Sequence, residues 1–74
     1  MHPLAFLEVY MIRVMVNGAG GKMGREVVKA VHNDPELTLV GGIDPTKAGQ
    51  DVGSVAGIEQ LGITMNASID EVLG

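Results

Sequence analysis

The chain has 74 residues, of which 46% are hydrophobic, 11 are glycine and none is cysteine, and its formal net charge is -4. A chain this short is too small for most enzymes with two substrates. It also has neither disulfides nor a His/Cys metal cluster, which are the features that usually stabilise small folds. The acidic balance argues against nucleic acid or an anionic membrane as a partner, because proteins that bind either of them present a basic face.

Residues 1–10, MHPLAFLEVY, differ from the rest, because a more regular pattern begins at a second methionine, Met11. The segment has neither the basic start nor the apolar run of a secretory signal, and no stretch of the chain approaches the ~18 apolar residues of a membrane span. We interpret residues 1–10 as an extension of uncertain status and residues 11–74 as the amino-terminal part of a domain. We expect a cytoplasmic protein.

Residues 11–43 predict a βαβ unit. Residues 11–16 are apolar apart from one arginine, which indicates a strand buried on both faces, and residues 37–43 form a second such run. A crossover between them makes the two strands parallel. The helix of this crossover is expected to end within His32-Asn33-Asp34-Pro35, because Asn favours a C-cap and the residue before proline avoids helical geometry. Its apolar residues recur at helical spacing and are expected to face the sheet: Met23, Val27, Ala30 and Val31.

The pattern weakens beyond Ile43. Glycines at every fourth position over residues 49–57 indicate a long surface loop, and residues 62–65 predict a short third strand. Ser68 and Glu71 fit a capping box at the start of another helix. Because helices below ~12 residues are marginal without packing, we interpret the chain as the front of a larger protein.

A glycine-rich turn between the first strand and the helix carries the chemical signal. In this turn Gly18 permits the sharp reversal, Gly20 or Gly21 lets the backbone approach a pyrophosphate, and Gly24 lets the helix pack close to the sheet. The helix N-terminus supplies unpaired N–H groups and the positive end of a dipole. No Ser, Thr, Asp or Asn occupies an N-cap within the turn. Such a helix is suited to being capped by a ligand.

Asp44 ends the second strand 20 residues after Gly24, where a carboxylate accepts hydrogen bonds from the hydroxyls of an adenosine ribose. These features predict a dinucleotide site, and the alternative is a tight turn that binds nothing. A Walker A loop is excluded, because Lys22 precedes Gly24 instead of following it. We find no nucleophile constellation and no metal site in the sequence. We interpret His32 as a solvated helix end, where a partial positive charge suits the dipole.

Two segments resemble one family. Residues 12–26, IRVMVNGAGGKMGRE, are similar to the opening of dihydrodipicolinate reductase, also called 4-hydroxy-tetrahydrodipicolinate reductase, and residues 49–57, GQDVGSVAG, resemble its Gly-x-Asp-x-Gly segment. The resemblance covers residues 11–73. It implies a truncated, Rossmann-like α/β domain with a parallel sheet and a βαβ start. It also implies an NADH- or NADPH-dependent reductase of the diaminopimelate route to lysine, usually a cytoplasmic homotetramer.

The resemblance carries specific residues onto this chain. It implies that Asp44 contacts the ribose. Pro45 stands where family members often have a basic residue for the 2′-phosphate of NADPH, which favours NADH, yet Lys47 or Lys22 can swing in and permit both cofactors. The alternative for Lys47 is a solvated loop lysine. The pyrophosphate would be held by the whole turn: Gly18, Ala19, Gly20, Gly21, Lys22, Met23 and Gly24.

The family's catalytic stretch His-His-x-x-Lys and its Ser-Gly-Thr turn belong to a second, substrate-binding domain and have no counterpart among these 74 residues. We therefore assign no catalytic residue and expect no activity from this chain alone. Two alternatives stay open. One is another Rossmann-type NAD(P)-dependent dehydrogenase, and the other is a small nucleotide-binding module that is complete in itself.

Overall fold

A computed structural model describes residues 12–73. Its elements in chain order are strand β1 (Ile12–Asn17), helix α1 (Lys22–Asn33), strand β2 (Leu37–Ile43), a 3-10 helix (Pro45–Lys47), helix α2 (Val52–Val55) and helix α3 (Ile69–Leu73). The interpretation of residues 1–10 as an extension falls outside the described residues. None of the helices in residues 12–73 has the length and apolar character needed to cross a membrane.

The predicted βαβ unit is confirmed. β1 and β2 lie side by side in parallel, with Ile12 opposite Leu37 at one end and Asn17 opposite Ile43 at the other. The register shifts once, between Val14 and Met15, so that Val40 is passed over. Such a bulge increases the local twist. Helix α1 forms the crossover between the two strands, and the structure therefore has the α/β start of a Rossmann-like domain.

The buried face of α1 differs from the predicted one except at Val31, which is buried as expected. Met23 is 78% exposed and Val27 is 41% exposed, whereas Val28 is fully buried. The face that packs against the sheet also contains Gly24 and Val31. Met23 and Val27 are four residues apart, and so are Gly24 and Val28. Because glycine has no apolar side chain, the second pair is the weaker signal in the sequence. The sequence pattern therefore selected the adjacent stripe of the helix.

β1 is less buried than predicted. Only Val16 is buried, Val14 and Met15 are half-buried, and Ile12 is 55% exposed. A strand buried on both faces needs a covering layer on each side. Among the described residues, β1 pairs with β2 alone.

The segment after β2 is not the predicted surface loop. α2 begins directly after Asp51, and its first residue, Val52, is fully buried. Gly42 in β2 makes this packing possible, because a Cβ there would lie 2.9 Å from Val52 Cγ2 and 3.0 Å from the Met65 sulfur. Helix α2 has only four residues, too few to produce a recognisable helical period. The core that it completes consists of Val16, Ala19, Val28, Val52, Ala56 and Met65.

Asp51 ties this segment together. Its carboxylate accepts hydrogen bonds from the Ser54 N–H at 2.9 Å and from three successive N–H groups, those of Leu61, Gly62 and Ile63, at 2.9–3.0 Å. These bonds lower the pKa of Asp51 to about 2, because each of them stabilises the ionised form. Asp51 therefore acts both as the N-cap of α2 and as the anchor of residues 61–63.

The two remaining predictions for this region hold in part. The third strand is reduced to single-residue bridges, Ile43 with Asn66 in parallel and Asp51 with Thr64 antiparallel. The capping carboxylate of Glu71 does reach back, but it accepts from the N–H of Ala67 at 3.2 Å, one residue before the expected N-cap. His32, interpreted as a solvated helix end, lies 3.1 Å from a carboxylate oxygen of Glu59.

Candidate functional site

The glycine-rich turn is fixed to the end of β2. Gly18 has a positive φ of 75°, a conformation that glycine adopts without steric cost. The N–H groups of Gly18 and Ala19 both donate to the carbonyl of Ile43, at 2.7 and 3.0 Å. The N–H of Gly21 donates back to the carbonyl of Gly18 at 3.1 Å and closes the turn. The backbone that enters α1 is therefore held by the neighbouring strand.

Gly24 permits the close approach between α1 and this turn. A Cβ at position 24 would overlap the carbonyl oxygen of Gly18 and would lie 2.9 Å from the Cα of Ala19. Both atoms belong to the backbone and cannot move aside without opening the turn. Glycine is thus required at this position by the structure, as the sequence predicts for a helix packed closely on its sheet.

The N-terminus of α1 is open. Gly21 occupies the N-cap, and no side chain within residues 12–73 caps the helix. The first intrahelical bond runs from the N–H of Arg25 to the carbonyl of Gly21 at 2.9 Å. The N–H groups of Lys22, Met23 and Gly24 therefore precede the first N–H that donates within the helix, and they carry the positive end of the helix dipole. An anion is the ligand that such a helix end favours.

Asp44 lies beside this helix end, at the carboxyl end of β2. Its side chain is 9% exposed. Oδ2 accepts a hydrogen bond from the N–H of Gly20 at 3.0 Å, and Oδ1 accepts from the N–H and the hydroxyl of Thr46 at 2.9 and 2.7 Å. The bonds from Thr46 are the largest cause of a lowered pKa at Asp44, with smaller contributions from Gly20 and the charge of Lys47. Asp44 is therefore an ionised acceptor in contact with the glycine turn.

Lys47 and Gly20 complete this contact. A Cβ on Gly20 would lie 2.5 Å from Asp44 Oδ2 and 2.6 Å from Lys47 Cγ, so the stem of Lys47 covers the turn. The glycine at position 20 thus admits two side chains of the protein itself. Of the residues predicted to form the site, Gly20, Asp44 and Lys47 are in direct contact, whereas the side chain of Met23 is exposed.

Thr46 is the residue that sequence reasoning missed. Its two hydrogen bonds to Asp44 make it the main partner of that carboxylate. The signal was present in the order Asp-Pro-Thr, since an aspartate that begins a turn accepts from the N–H two residues on. Pro45 stands at the first position of the 3-10 helix, where its fixed φ suits the turn.

A cationic groove runs along α1 from Lys22 to Lys29 and is bordered by Ala56, the residue after α2. It has a volume of about 210 Å³. Three of its lining side chains are basic, and Glu26 within it is paired with Lys29. The positive charge of this otherwise acidic chain is thus concentrated beside the open helix end. The residues that line the groove are Lys22, Arg25, Glu26, Lys29 and Ala56.

The arrangement supplies groups that can bind a ligand. The turn offers N–H donors at a helix end, and Asp44 offers an ionised acceptor one strand away. Within residues 12–73 no three His, Asp or Glu side chains are grouped closely enough to hold a metal ion. A donor cluster for a phosphate beside an acceptor for hydroxyl groups suits a nucleotide.

Comparison with known proteins points to one family. A family model described as "Dihydrodipicolinate reductase, N-terminus" matches residues 12–74. A protein of Synechocystis sp. named 4-hydroxy-tetrahydrodipicolinate reductase is 52% identical over 65 residues, which are 85% of this chain and 24% of the relative. A protein of the same name from Cyanothece sp. is 52% identical over 64 residues, 84% of this chain and 23% of the relative.

A third relative is less similar to the chain. A relative of the same name from Desulfitobacterium hafniense is 42% identical over 59 residues, 80% of this chain and 22% of that protein. The chain spans about a quarter of the length of the curated relatives that it matches. Because the family model covers nearly the entire chain, this protein belongs to the dihydrodipicolinate reductase family and corresponds to its amino-terminal part.

Proposed function

We propose that this chain is the dinucleotide-binding part of a 4-hydroxy-tetrahydrodipicolinate reductase, an enzyme of the diaminopimelate route to lysine. In this proposal the chain binds the pyrophosphate and adenosine ribose of NADH or NADPH. The nicotinamide of the bound cofactor would supply the hydride. The residues that act on the substrate belong to a part of the enzyme that this chain does not contain.

One observation carries the proposal. The Asp44 carboxylate, at the carboxyl end of β2, accepts a hydrogen bond from the Gly20 N–H inside the glycine turn at 3.0 Å. An acid at this edge of a parallel sheet, joined to a glycine turn and an open helix end, is the arrangement by which Rossmann folds bind dinucleotides. The names of the relatives support the same assignment.

The N–H groups of the turn fall into two sets, those that donate within the protein and those that are left for a ligand. The N–H groups of Gly18, Ala19, Gly20 and Gly21 already have acceptors within the protein. We assign the pyrophosphate to the N–H groups of Lys22, Met23 and Gly24, with the ammonium of Lys22 nearby. The other turn residues shape the backbone so that these donors are presented together.

The choice between NADH and NADPH follows from charge. An aspartate is already ionised at neutral pH and the pKa of Asp44 is lowered further, so its carboxylate is negative and repels a 2′-phosphate. Pro45 supplies no cation beside it. We propose a preference for NADH, with Lys47 as the residue that permits NADPH to bind more weakly. Its stem already lies against Gly20, next to Asp44.

Isothermal titration of the 74-residue chain with NADH tests the proposal. Gly21 has an extended backbone (φ -78°, ψ 170°) that β-branched residues accept, and a Cβ there would meet only the Gly18 carbonyl at 3.5 Å. Gly21→Val should therefore fold while its side chain obstructs the helix end. We expect weak binding by the unsubstituted chain and at least a tenfold loss in the variant.

Ala30→Val is the matched control, because it adds similar bulk to α1 at an exposed position away from the turn. It should bind NADH as the unsubstituted chain does. Equal binding by Gly21→Val would remove the pyrophosphate from this turn. Absence of any binding by the unsubstituted chain would contradict the proposal for the chain on its own.

We further propose, from the family resemblance, that the complete enzyme is a cytoplasmic homotetramer. The acidic balance of the chain supports the absence of nucleic acid or an anionic membrane among its partners. Measuring the native mass of the complete enzyme tests the tetramer, and a monomeric mass would contradict it.

A further inference from the structure

The strongest unassigned feature is the pair of hydrogen bonds from Thr46 to Asp44. Both the backbone N–H and the hydroxyl of Thr46 donate to the same carboxylate oxygen, Oδ1, at 2.9 and 2.7 Å. A carboxylate oxygen has about two lone-pair sites, so these bonds use the capacity of Oδ1. Oδ2 accepts only the N–H of Gly20 at 3.0 Å and keeps room for a further donor.

This arrangement fixes the direction of the carboxylate. Rotation of the Asp44 side chain about its terminal bond would break the bonds to Thr46 on one side and the bond to Gly20 on the other. The Oδ2 oxygen therefore stays on the side of the glycine turn. Pro45 between the two residues holds the short turn that brings Thr46 back to Asp44.

The same hydrogen bonds also strengthen the preference of Asp44 for its ionised form. Hydrogen bonds donated to a carboxylate favour the ionised form, and the hydroxyl of Thr46 is the largest cause of the lowered pKa of Asp44. Lys47 on the same 3-10 helix is the charged residue that adds to this effect. An ionised carboxylate accepts a hydrogen bond from a ribose hydroxyl and repels a phosphate.

We propose that Thr46 is a positioning residue that presents Asp44 as a fixed acceptor and so selects a dinucleotide whose adenosine ribose carries no 2′-phosphate. The inference rests on the proposed function, because it assumes that the site binds a dinucleotide. It adds a residue outside the glycine turn and outside the acid itself, and it assigns the discrimination between the two cofactors to a hydroxyl group.

The test compares Thr46→Val with Thr46→Ser. Valine keeps the shape and the N–H of threonine but removes the hydroxyl, whereas serine keeps the hydroxyl. Titration of the 74-residue chain with NADH and NADPH should show that Thr46→Val weakens NADH about tenfold and NADPH much less, which reduces the preference for NADH. Thr46→Ser should keep the preference for NADH that the unsubstituted chain has. Thr64→Val, at another exposed threonine, is the matched control and should leave both affinities unchanged.

A second measurement separates positioning from a general effect on folding. The pKa of Asp44 can be followed from the chemical shift of its carboxyl carbon by NMR. We expect Thr46→Val to raise this pKa and Thr46→Ser to leave it lowered, whether or not a nucleotide is present.

The outcomes distinguish the two proposals. If the unsubstituted chain binds NADH but Thr46→Val changes neither the preference nor the pKa of Asp44, the role of Thr46 is wrong and the site remains. If Thr46→Ser loses the preference as Thr46→Val does, the hydroxyl is not the cause and the role is again wrong. If the unsubstituted chain binds neither cofactor, the proposed function falls and the inference falls with it.

Discussion

Gly20 and Gly21 are adjacent in the sequence and have different surroundings in the turn. A Cβ on Gly20 would lie 2.5 Å from Asp44 Oδ2, whereas a Cβ on Gly21 would meet only the carbonyl of Gly18 at 3.5 Å. The sequence predicted that either glycine lets the backbone approach a pyrophosphate. In the structure, the absence of a side chain at Gly20 leaves room for the carboxylate of Asp44 and for the stem of Lys47.

Gly20→Ala should therefore destabilise the protein more than Gly21→Ala does. The added methyl group at position 20 displaces Asp44 and breaks its bond to the turn, so we expect the Tm to fall by at least about 4 °C. The methyl group at position 21 makes an ordinary contact, and the Tm should change by less than about 2 °C. Thermal melts followed by circular dichroism measure both, and equal losses would contradict the different roles of the two glycines.

Asp44→Ala should weaken NADH binding more than NADPH binding. Removal of the carboxylate takes away an acceptor for the ribose hydroxyls but also takes away the charge that opposes a 2′-phosphate. We expect the affinity for NADH to fall about tenfold and that for NADPH to fall by less than about threefold. Asp34→Ala, an exposed acid at the other end of α1, is the control for loss of charge. An unchanged ratio of affinities would remove Asp44 from the ribose.

Much of the site could be predicted from residue types, but the contact of Thr46 with Asp44 was not predicted. Glycine spacing, the open helix end and the acid after β2 are local features, and each was identified from the sequence. The order Asp-Pro-Thr is a local signal for the contact of Thr46 with Asp44, but only the structure shows that both donors of Thr46 meet the same oxygen, Oδ1. The division of N–H groups between protein acceptors and a ligand likewise requires the positions of β2 and the turn.

At the scale of elements, the orientation of α1 is the clearest departure from the sequence pattern. Val28 is fully buried and Val27 is 41% exposed. The two stripes of the helix are both apolar, and only the position of the sheet decides between them. β2, by contrast, was predicted with the bounds that the structure has, because its run of apolar residues is closed by Glu36 and Asp44.

The two valines provide a matched pair for this orientation. Val28→Ala removes two methyl groups from the core and should cost about 2 kcal/mol, which corresponds to a Tm lower by roughly 10 °C. Val27→Ala removes the same groups from a partly exposed position and should cost less than about 1 kcal/mol. Urea unfolding measures the difference in free energy. A larger loss for Val27→Ala would show that the predicted stripe faces the core.

The segment from α2 to residue 63 depends on Asp51, and this dependence has a defined pH range. The pKa of Asp51 is lowered from 3.8 to about 2, so its ionised form stabilises the folded state above about pH 4. This contribution is lost as the pH falls through about 2, where the carboxylate is protonated in both states.

Asp51→Asn should therefore lower the Tm at neutral pH, because an amide is a weaker acceptor for the four N–H groups. The difference in Tm between the unsubstituted chain and the variant should shrink as the pH is lowered from 5 toward about 2. Thermal melts across this range provide the measurement. A difference that stays constant with pH would mean that the charge of Asp51 does not stabilise the fold.

At the scale of the whole molecule, the described residues form a βαβ unit with a short helical segment that closes one side of its core. The open end of α1 and the acid after β2 lie at one edge of this unit, and the cationic groove begins at Lys22 in the first turn of α1. The fold class and the family were accessible from the sequence because both rest on short, contiguous motifs. The burial of α2 was not, since it depends on Gly42 and Met65, which are 10 and 13 residues away from Val52.

The central claim is that the glycine turn, the start of α1 and Asp44 together bind a dinucleotide. The most direct measurement is an NMR titration of the isotopically labelled 74-residue chain with NADH, in which each backbone N–H is observed separately. We expect the largest shifts at the N–H groups of Lys22, Met23 and Gly24, with smaller shifts at Gly20 and Thr46. Shifts confined to other parts of the chain, or no shift at the start of α1 at millimolar NADH, would contradict it.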